Sequence, residues 1–248
     1  MALVAAAESN NPDAIEAALQ AGASVDEASS SSGATALMAA ARAGHVASVT
    51  CLLSNGASAT LHESTSGSTA LMYAAASGHV ECCALLLEFG ANPIERDANL
   101  GSPLLCAVQH VDVLTLLLEH VSIDPLTLIP GADAADATGL TPLMAAARAG
   151  QRDAIFHLLS AGASVHAQDQ LGATALHAAA SSGHLDAAQA LLQEGGARAD
   201  ARDVEGRLPV DVTTSQAMRD LLAAALDEQY EHWSEKSYDS AQDDRPWH

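Results

Sequence analysis

Eleven histidines and four cysteines are the residues of this 248-residue chain best suited to ligate a metal or act as nucleophile and base. A structural metal centre would need them clustered at short ligand spacings, and no Cys-x-x-Cys occurs. Neighbouring Cys82 and Cys83 cannot easily bridge each other. With Cys51 they occupy positions where equivalent segments of the chain carry Val or Leu, so they read as small buried hydrophobes in a reducing compartment. His157 replaces a leucine of an apolar stripe and reads as a packed or half-exposed side chain. The chain has no Gly-x-x-x-x-Gly-Lys-Ser/Thr loop, no Gly-x-Ser-x-Gly elbow and no His-Glu-x-x-His. Its 31 acidic residues scatter rather than converge. No catalytic, metal or cofactor site is expected, and the chain reads as a non-enzyme.

The elements that carry these residues announce themselves by repetition. Thr-Ala-Leu-Met spans Thr35–Met38 and Thr69–Met72, Thr-Pro-Leu-Met spans Thr141–Met144, and Thr-Ala-Leu-His spans Thr174–His177. An alanine-rich turn follows each, then a glycine (Gly44, Gly78, Gly150, Gly183) and a second apolar segment ending in Leu-Leu. The leucine of the phrase recurs at Leu3, Leu37, Leu71, Leu104, Leu143 and Leu176, with Val210 as a degenerate last copy. A period near 33 residues is the mark of a stacked repeat array. Leu37, Ala40 and Ala41 share one face of a short helix, and Val46, Val49, Leu52 and Leu53 form a stripe on the next. Thr35 sits where an N-cap belongs, and Gly44 where a left-handed residue ends a helix.

This pattern, Gly-x-Thr-Pro/Ala-Leu-x-x-Ala-Ala-x-x-Gly-His followed by Leu-Leu-x-x-Gly-Ala, resembles the ankyrin repeat over residues 1–226. Copies two, three, five and six keep to it, the first and last are eroded, and the fourth departs from it. The resemblance implies an all-α solenoid of about six to seven helix-turn-helix repeats with finger loops. The repeats fall near 1–32, 33–66, 67–99, 100–138, 139–171 and 172–205, with a capping repeat at 206–226. It implies structural roles for His45, His79, His184 and His177, no common chemistry, and binding of other proteins. Contacts in the family come from finger tips and first-helix positions. Here these are Arg42, Tyr73, Cys106, Arg148 and Ser181, with Glu63, Arg96, Asp97, Gln168, Asp169 and Asp203 in the fingers. Tyr73 is the one aromatic among them. Phe156 gives a smaller candidate on the second-helix side.

Ten basic residues against 31 acidic ones give a formal net charge of −21. Such a surface repels phosphate backbones and anionic membranes, and no apolar run is long enough to span a bilayer. The acidity either steers a basic protein surface onto the chain or only keeps it soluble. The first residues lack a positive n-region and fit the first helix of a capping repeat, which with the thiols points to the cytoplasm. The fourth copy is clipped in its first half and extended in its finger. Ile123, Leu126, Leu128 and Ile129 there either form an exposed contact patch or fold back over the gap. Residues 227–248 form an acidic aromatic tail. Leu222, Leu226, Tyr230 and Trp233 continue one helical stripe that either caps the last repeat or meets a partner. Beyond Ser234 the composition suits disorder until bound, with Tyr238 and Trp247 as anchors. The expected function is a scaffold or adaptor, monomeric apart from its complex, such as a subunit of a cytoskeletal or ciliary assembly. A stoichiometric enzyme inhibitor and an acidic chaperone for basic clients are the alternatives.

Overall fold

The computed structural model describes residues 2–30, 33–121 and 131–240, with side chains through residue 231. The described residues are helical and contain no strand. They form two compact units, residues 1–142 with 160–163, and residues 143–159 with 164–248.

The first unit is built from helix pairs: α1 (Ala2–Glu8) with α2 (Pro12–Gln20), α3 (Ala36–Ala43) with α4 (Val46–Ser54), and α5 (Ala70–Ala76) with α6 (Val80–Glu88). The fourth pair opens with α7 (Pro103–Cys106), which gives way to a 3-10 turn at Ala107–Gln109 before α8 (Val111–His120). This is the clipped copy, and it keeps Leu104 buried despite losing a turn of helix. First helices pack side by side, α1 on α3 and α3 on α5. Alanine permits that approach: Ala36, Ala40 and Ala41 are fully buried between neighbours where a larger side chain would not fit. Leu3, Leu37, Leu71 and Leu104 form the spine of this core. Val49, Leu52 and Leu53 seal the second layer, whereas Val46 is only half-buried.

The second unit holds α9 (Pro142–Ala149) with α10 (Arg152–Ser160), α11 (Ala175–Ser182) with α12 (Leu185–Gln193), a 3-10 turn at Pro209–Asp211 and α13 (Gln216–Ser240). The seventh copy has lost its first helix to that turn, which leaves Val210 half-buried.

The repeating phrase encodes its own caps. Thr35 Oγ1 accepts from the Met38 N–H at 3.4 Å, and Thr69 Oγ1 from the Met72 N–H at 3.3 Å. Met38 Sδ returns the bond, accepting from the Thr35 N–H at 3.4 Å, so a sulfur fills the place of the usual Glu in a capping box. In the second unit His177 does the same through Nδ1, accepting from the Thr174 N–H at 3.2 Å. Its Nε2 then donates to the Arg207 carbonyl at 3.1 Å, tying α11 to the following finger.

Candidate protein-binding surface

The histidines that could have held a metal are engaged between repeats. His45 Nε2 lies 3.0 Å from the Glu8 carbonyl, His79 Nε2 3.2 Å from Arg42 O, and His110 Nε2 3.1 Å from Ala76 O. Each meets a carbonyl at the end of the preceding repeat's first helix, where the helix itself supplies no donor. His110 keeps this role although Gln109 replaces the usual glycine before it. Gly44 carries φ +72°, and a Cβ there would stand 2.6 Å from the His79 ring, so the histidine rests on the bare glycine. Among the described residues no group of three His, Cys, Asp or Glu side chains is placed to hold a metal ion.

Cys82 and Cys83 are buried, and Cys51 and Cys106 are half-buried; all four are free thiols. Burial pushes the Cys83 thiol up to about 12 and the Cys106 thiol up to about 11, which leaves them unreactive near neutrality. Two clefts of about 620 and 850 Å³ in the second unit share Arg198 and Asp200. That carboxylate is bound by Arg198 Nε at 2.9 Å and Nη2 at 2.8 Å.

The finger acids, which the sequence offered as contacts, are largely consumed by the loops. Asp97 Oδ1 accepts from the N–H groups of Asn99 (2.8 Å) and Gly101 (2.7 Å). Asp136 serves Thr138 and Leu140 in the same way, Asp169 serves Leu171 and Ala173, and Asp203 serves Glu205 and Arg207. Each is a side-chain turn laid over backbone bonds of the same loop, such as Asp97 N–H to Gly101 O at 3.0 Å. Successive tips are joined by backbone bonds, Ala98 N–H to Ser66 O at 2.9 Å and Ala137 N–H to Asn99 O at 2.8 Å. Arg96 Nη1 donates to the carbonyls of Leu100 and Ala135, so its head is spent inside the fingers.

Arg42 and Tyr73 are different. Both project from first helices of the first unit, with the Arg42 guanidinium 5.2 Å above the centre of the Tyr73 ring. The Tyr73 hydroxyl donates to Glu63 Oε2 at 2.7 Å, and Ser66 Oγ donates to the same oxygen. Burial raises the Glu63 carboxyl, but the hydrogen bonds from Ser66, Tyr73 and Thr65 and the nearby Arg42 outweigh it and hold its pKa below the usual value. Burial first, then the bond to Glu63, raises the Tyr73 phenol. The ring is thus fixed by one partner below and one above, while Arg42 itself is exposed.

The remaining candidates are dispersed. Arg148 is exposed at the end of α9. Phe156 is 53% exposed on α10 and meets His157 edge-on, with ring centres 5.7 Å apart. Ser181 Oγ is turned back to the Ala178 carbonyl. Leu126, Leu128, Ile129 and Trp247 lie outside the described residues, and Tyr238 falls within the backbone of α13. The capping stripe ends earlier than Tyr230: Leu222 is buried and Leu226 half-buried, but Tyr230 is 74% exposed. Gln229 holds the helix instead, its Oε1 accepting from Ala199 N–H (3.0 Å) and its Nε2 donating to Ala197 O (2.9 Å). The amide copies the edge of a strand, a role its polar type does not advertise.

Among the described residues no helix is long and apolar enough to cross a membrane. No curated protein matches the sequence. The solved ankyrin repeat domain of human ASB11 is 30% identical, with a TM-score of 0.76, over 90% of this chain and 97% of that one. The ankyrin repeat domain of Bcl-3, described as a unique member of the IkappaB protein family, is 26% identical, with a TM-score of 0.73, over 90% of this chain and 98% of that one. The family described as Ankyrin repeats (3 copies) matches residues 1–63, 49–128 and 125–203. The chain belongs to the ankyrin repeat family.

Proposed function

We propose that this protein is a non-catalytic adaptor that holds a partner protein at the Arg42–Tyr73 pair of its first unit. Ankyrin repeats bind proteins, so the class of activity follows from the family; the site does not. The observation that supports it is the stacked guanidinium and ring, fixed from beneath by Glu63. Aromatic and arginine side chains dominate interface energetics because they bury much area for little lost freedom. A ring already immobilised by a hydrogen bond loses still less on binding. Free thiols suit action in a reducing compartment.

The test is affinity capture from source lysate over a salt series, with wild type, Arg42→Ala and Tyr73→Ala compared at matched folding. Loss of the captured protein in both variants supports the Arg42–Tyr73 reading. Undiminished capture by both rejects it. If the captured protein is one enzyme whose turnover falls at a stoichiometric ratio, the chain is an inhibitor rather than an adaptor.

A further inference from the structure

Among the described residues two non-glycine positions have positive φ, Asn10 at 49° and Leu100 at 61°. Asparagine tolerates that region; leucine does so only under constraint, because its Cβ crowds the following carbonyl. The constraint is the finger turn. Three residues after the turn aspartates Asp136, Asp169 and Asp203 stand Gly139, Gly172 and Gly206, with φ of 84°, 71° and 79°. Three residues after Asp97 stands Leu100. Its backbone does what any residue could do, the N–H donating to Asp97 O at 3.0 Å and the carbonyl accepting from Arg96. The side chain does not repay the strain by burial, for the residue is 51% exposed. Glycine would make the same bonds without the penalty, so fold stability does not account for leucine here.

Its surroundings indicate what it meets. Ala98, two residues earlier in the same finger, and Ala137, on the next finger and bonded to Asn99, are exposed and small, so each of these two fingers adds open apolar surface to that of Leu100. Residues 1–142 hold fifteen acidic residues and two basic ones, Arg42 and Arg96. Arg96 is spent on two carbonyls and Arg42 lies over Tyr73, which leaves this unit's field negative.

We infer that Leu100 is a partner-contact residue, kept at a glycine position to seat against an apolar side chain of an extended protein segment flanked by Lys or Arg. This rests on the protein-binding reading and adds to it a second contact point and the partner's chemistry. The experiment pans a phage-displayed random-peptide library on the full chain. The selected peptides are then titrated against wild type, Leu100→Gly and Tyr73→Ala, with thermal midpoints recorded. The expected peptides pair a bulky apolar residue with Lys or Arg. Leu100→Gly should weaken them about tenfold, the scale of one interface anchor. The same change should raise the midpoint by about 2–4 °C as the strain is released. Opposite movements of affinity and stability are a signature that a merely structural leucine cannot give. A raised midpoint with unchanged affinity overturns the inference, as does a lowered midpoint. So does a selection that yields acidic peptides or none. Loss of binding in Tyr73→Ala but not in Leu100→Gly would leave the Arg42–Tyr73 reading standing and overturn the inference about Leu100.

Discussion

The Tyr73 hydroxyl donates to Glu63 Oε2 at 2.7 Å, and this bond joins the first helix of the third repeat to the finger that leads into it. Glu63 is only 6% exposed, so the bond reaches a carboxylate that water barely touches. Tyr73→Phe should therefore cost about 1–2 kcal/mol of stability by removing one donor from a buried charge. Partner affinity should fall less in that variant than in Tyr73→Ala, because the ring remains under Arg42 and only its immobilising bond is lost. Tyr73→Ala should lose at least as much stability, since the half-buried ring goes with the hydroxyl, and should also weaken binding by about 1–2 kcal/mol. Urea unfolding alongside titration of the captured partner separates the two effects. Equal affinity for wild type and Tyr73→Ala would rule out the ring as an anchor.

The same pair sets a pH window. Glu63 has a lowered pKa in the folded chain, so its contribution is present above the unfolded carboxylate value of about 4.3 and is lost as pH falls through the lowered folded value. Tyr73 has a raised pKa, so its contribution is complete below the unfolded phenol value of about 10 and is lost as pH rises through the raised folded value. Thermal midpoints measured across acid pH should fall less steeply for Glu63→Gln than for wild type. Parallel acid limbs would show that Glu63 is not a source of the slope.

The helices, their caps and their core were legible because one phrase carries all three. Thr35 and Thr69 are caps by type, Leu37 and Leu71 are core by spacing, and the alanines between them dictate close approach. The site was less legible, since its parts come from loops whose course no period describes. Tyr73 stood out as an aromatic, but nothing in the spacing says that a residue ten positions earlier receives its hydroxyl. Asp97, Asp169 and Asp203 read as partner contacts, yet a carboxylate that accepts from two backbone N–H groups is part of the loop's skeleton. The recurrence of Asp97, Asp136, Asp169 and Asp203 at one place in successive fingers was a signal for that. Aligning the same fingers also exposes Leu100 where the others have glycine, although only the backbone shows the strain.

Gly44 offers a measure of the coupling between repeats. A Cβ there meets His79 at 2.6 Å, while one at Gly22 meets nothing within 4 Å, and both residues have positive φ. Both Ala variants should lose about 1 kcal/mol or more to backbone strain. Gly44→Ala should lose more, because the His79 ring must also leave its contact with the Arg42 carbonyl. The excess should disappear in a His79→Ala background, which chemical unfolding of the four variants would show as a coupling energy. Equal losses at Gly44 and Gly22 would mean that the ring yields without cost.

Gln229 decides where the folded array stops. Its amide bonds both Ala197 and Ala199, 32 and 30 residues back, so the last helix grips the sixth repeat beyond the apolar contacts of Leu222 and Leu226. Ending the chain after Leu226 removes the clamp, whereas ending it after Glu231 keeps it. The shorter chain should therefore expose the amide of Ala199 and fray α13, with hydrogen exchange faster in both places. Gln229→Ala in the full chain should reproduce the faster exchange at Ala199, at a cost of about 1–3 kcal/mol for the unpaired backbone groups. Gln229→Glu keeps an acceptor for the Ala199 N–H but sets a carboxylate against the Ala197 carbonyl, so it should rescue only the first of the two bonds. Unaltered exchange at Ala199 in the shorter chain would assign the grip to the leucines alone. It would then be legitimate to read any loss of partner capture on removing residues 227–248 as loss of a binding tail. With the clamp acting, that comparison must be made between chains ending after Glu231 and after His248, because only these differ in tail without differing in the cap.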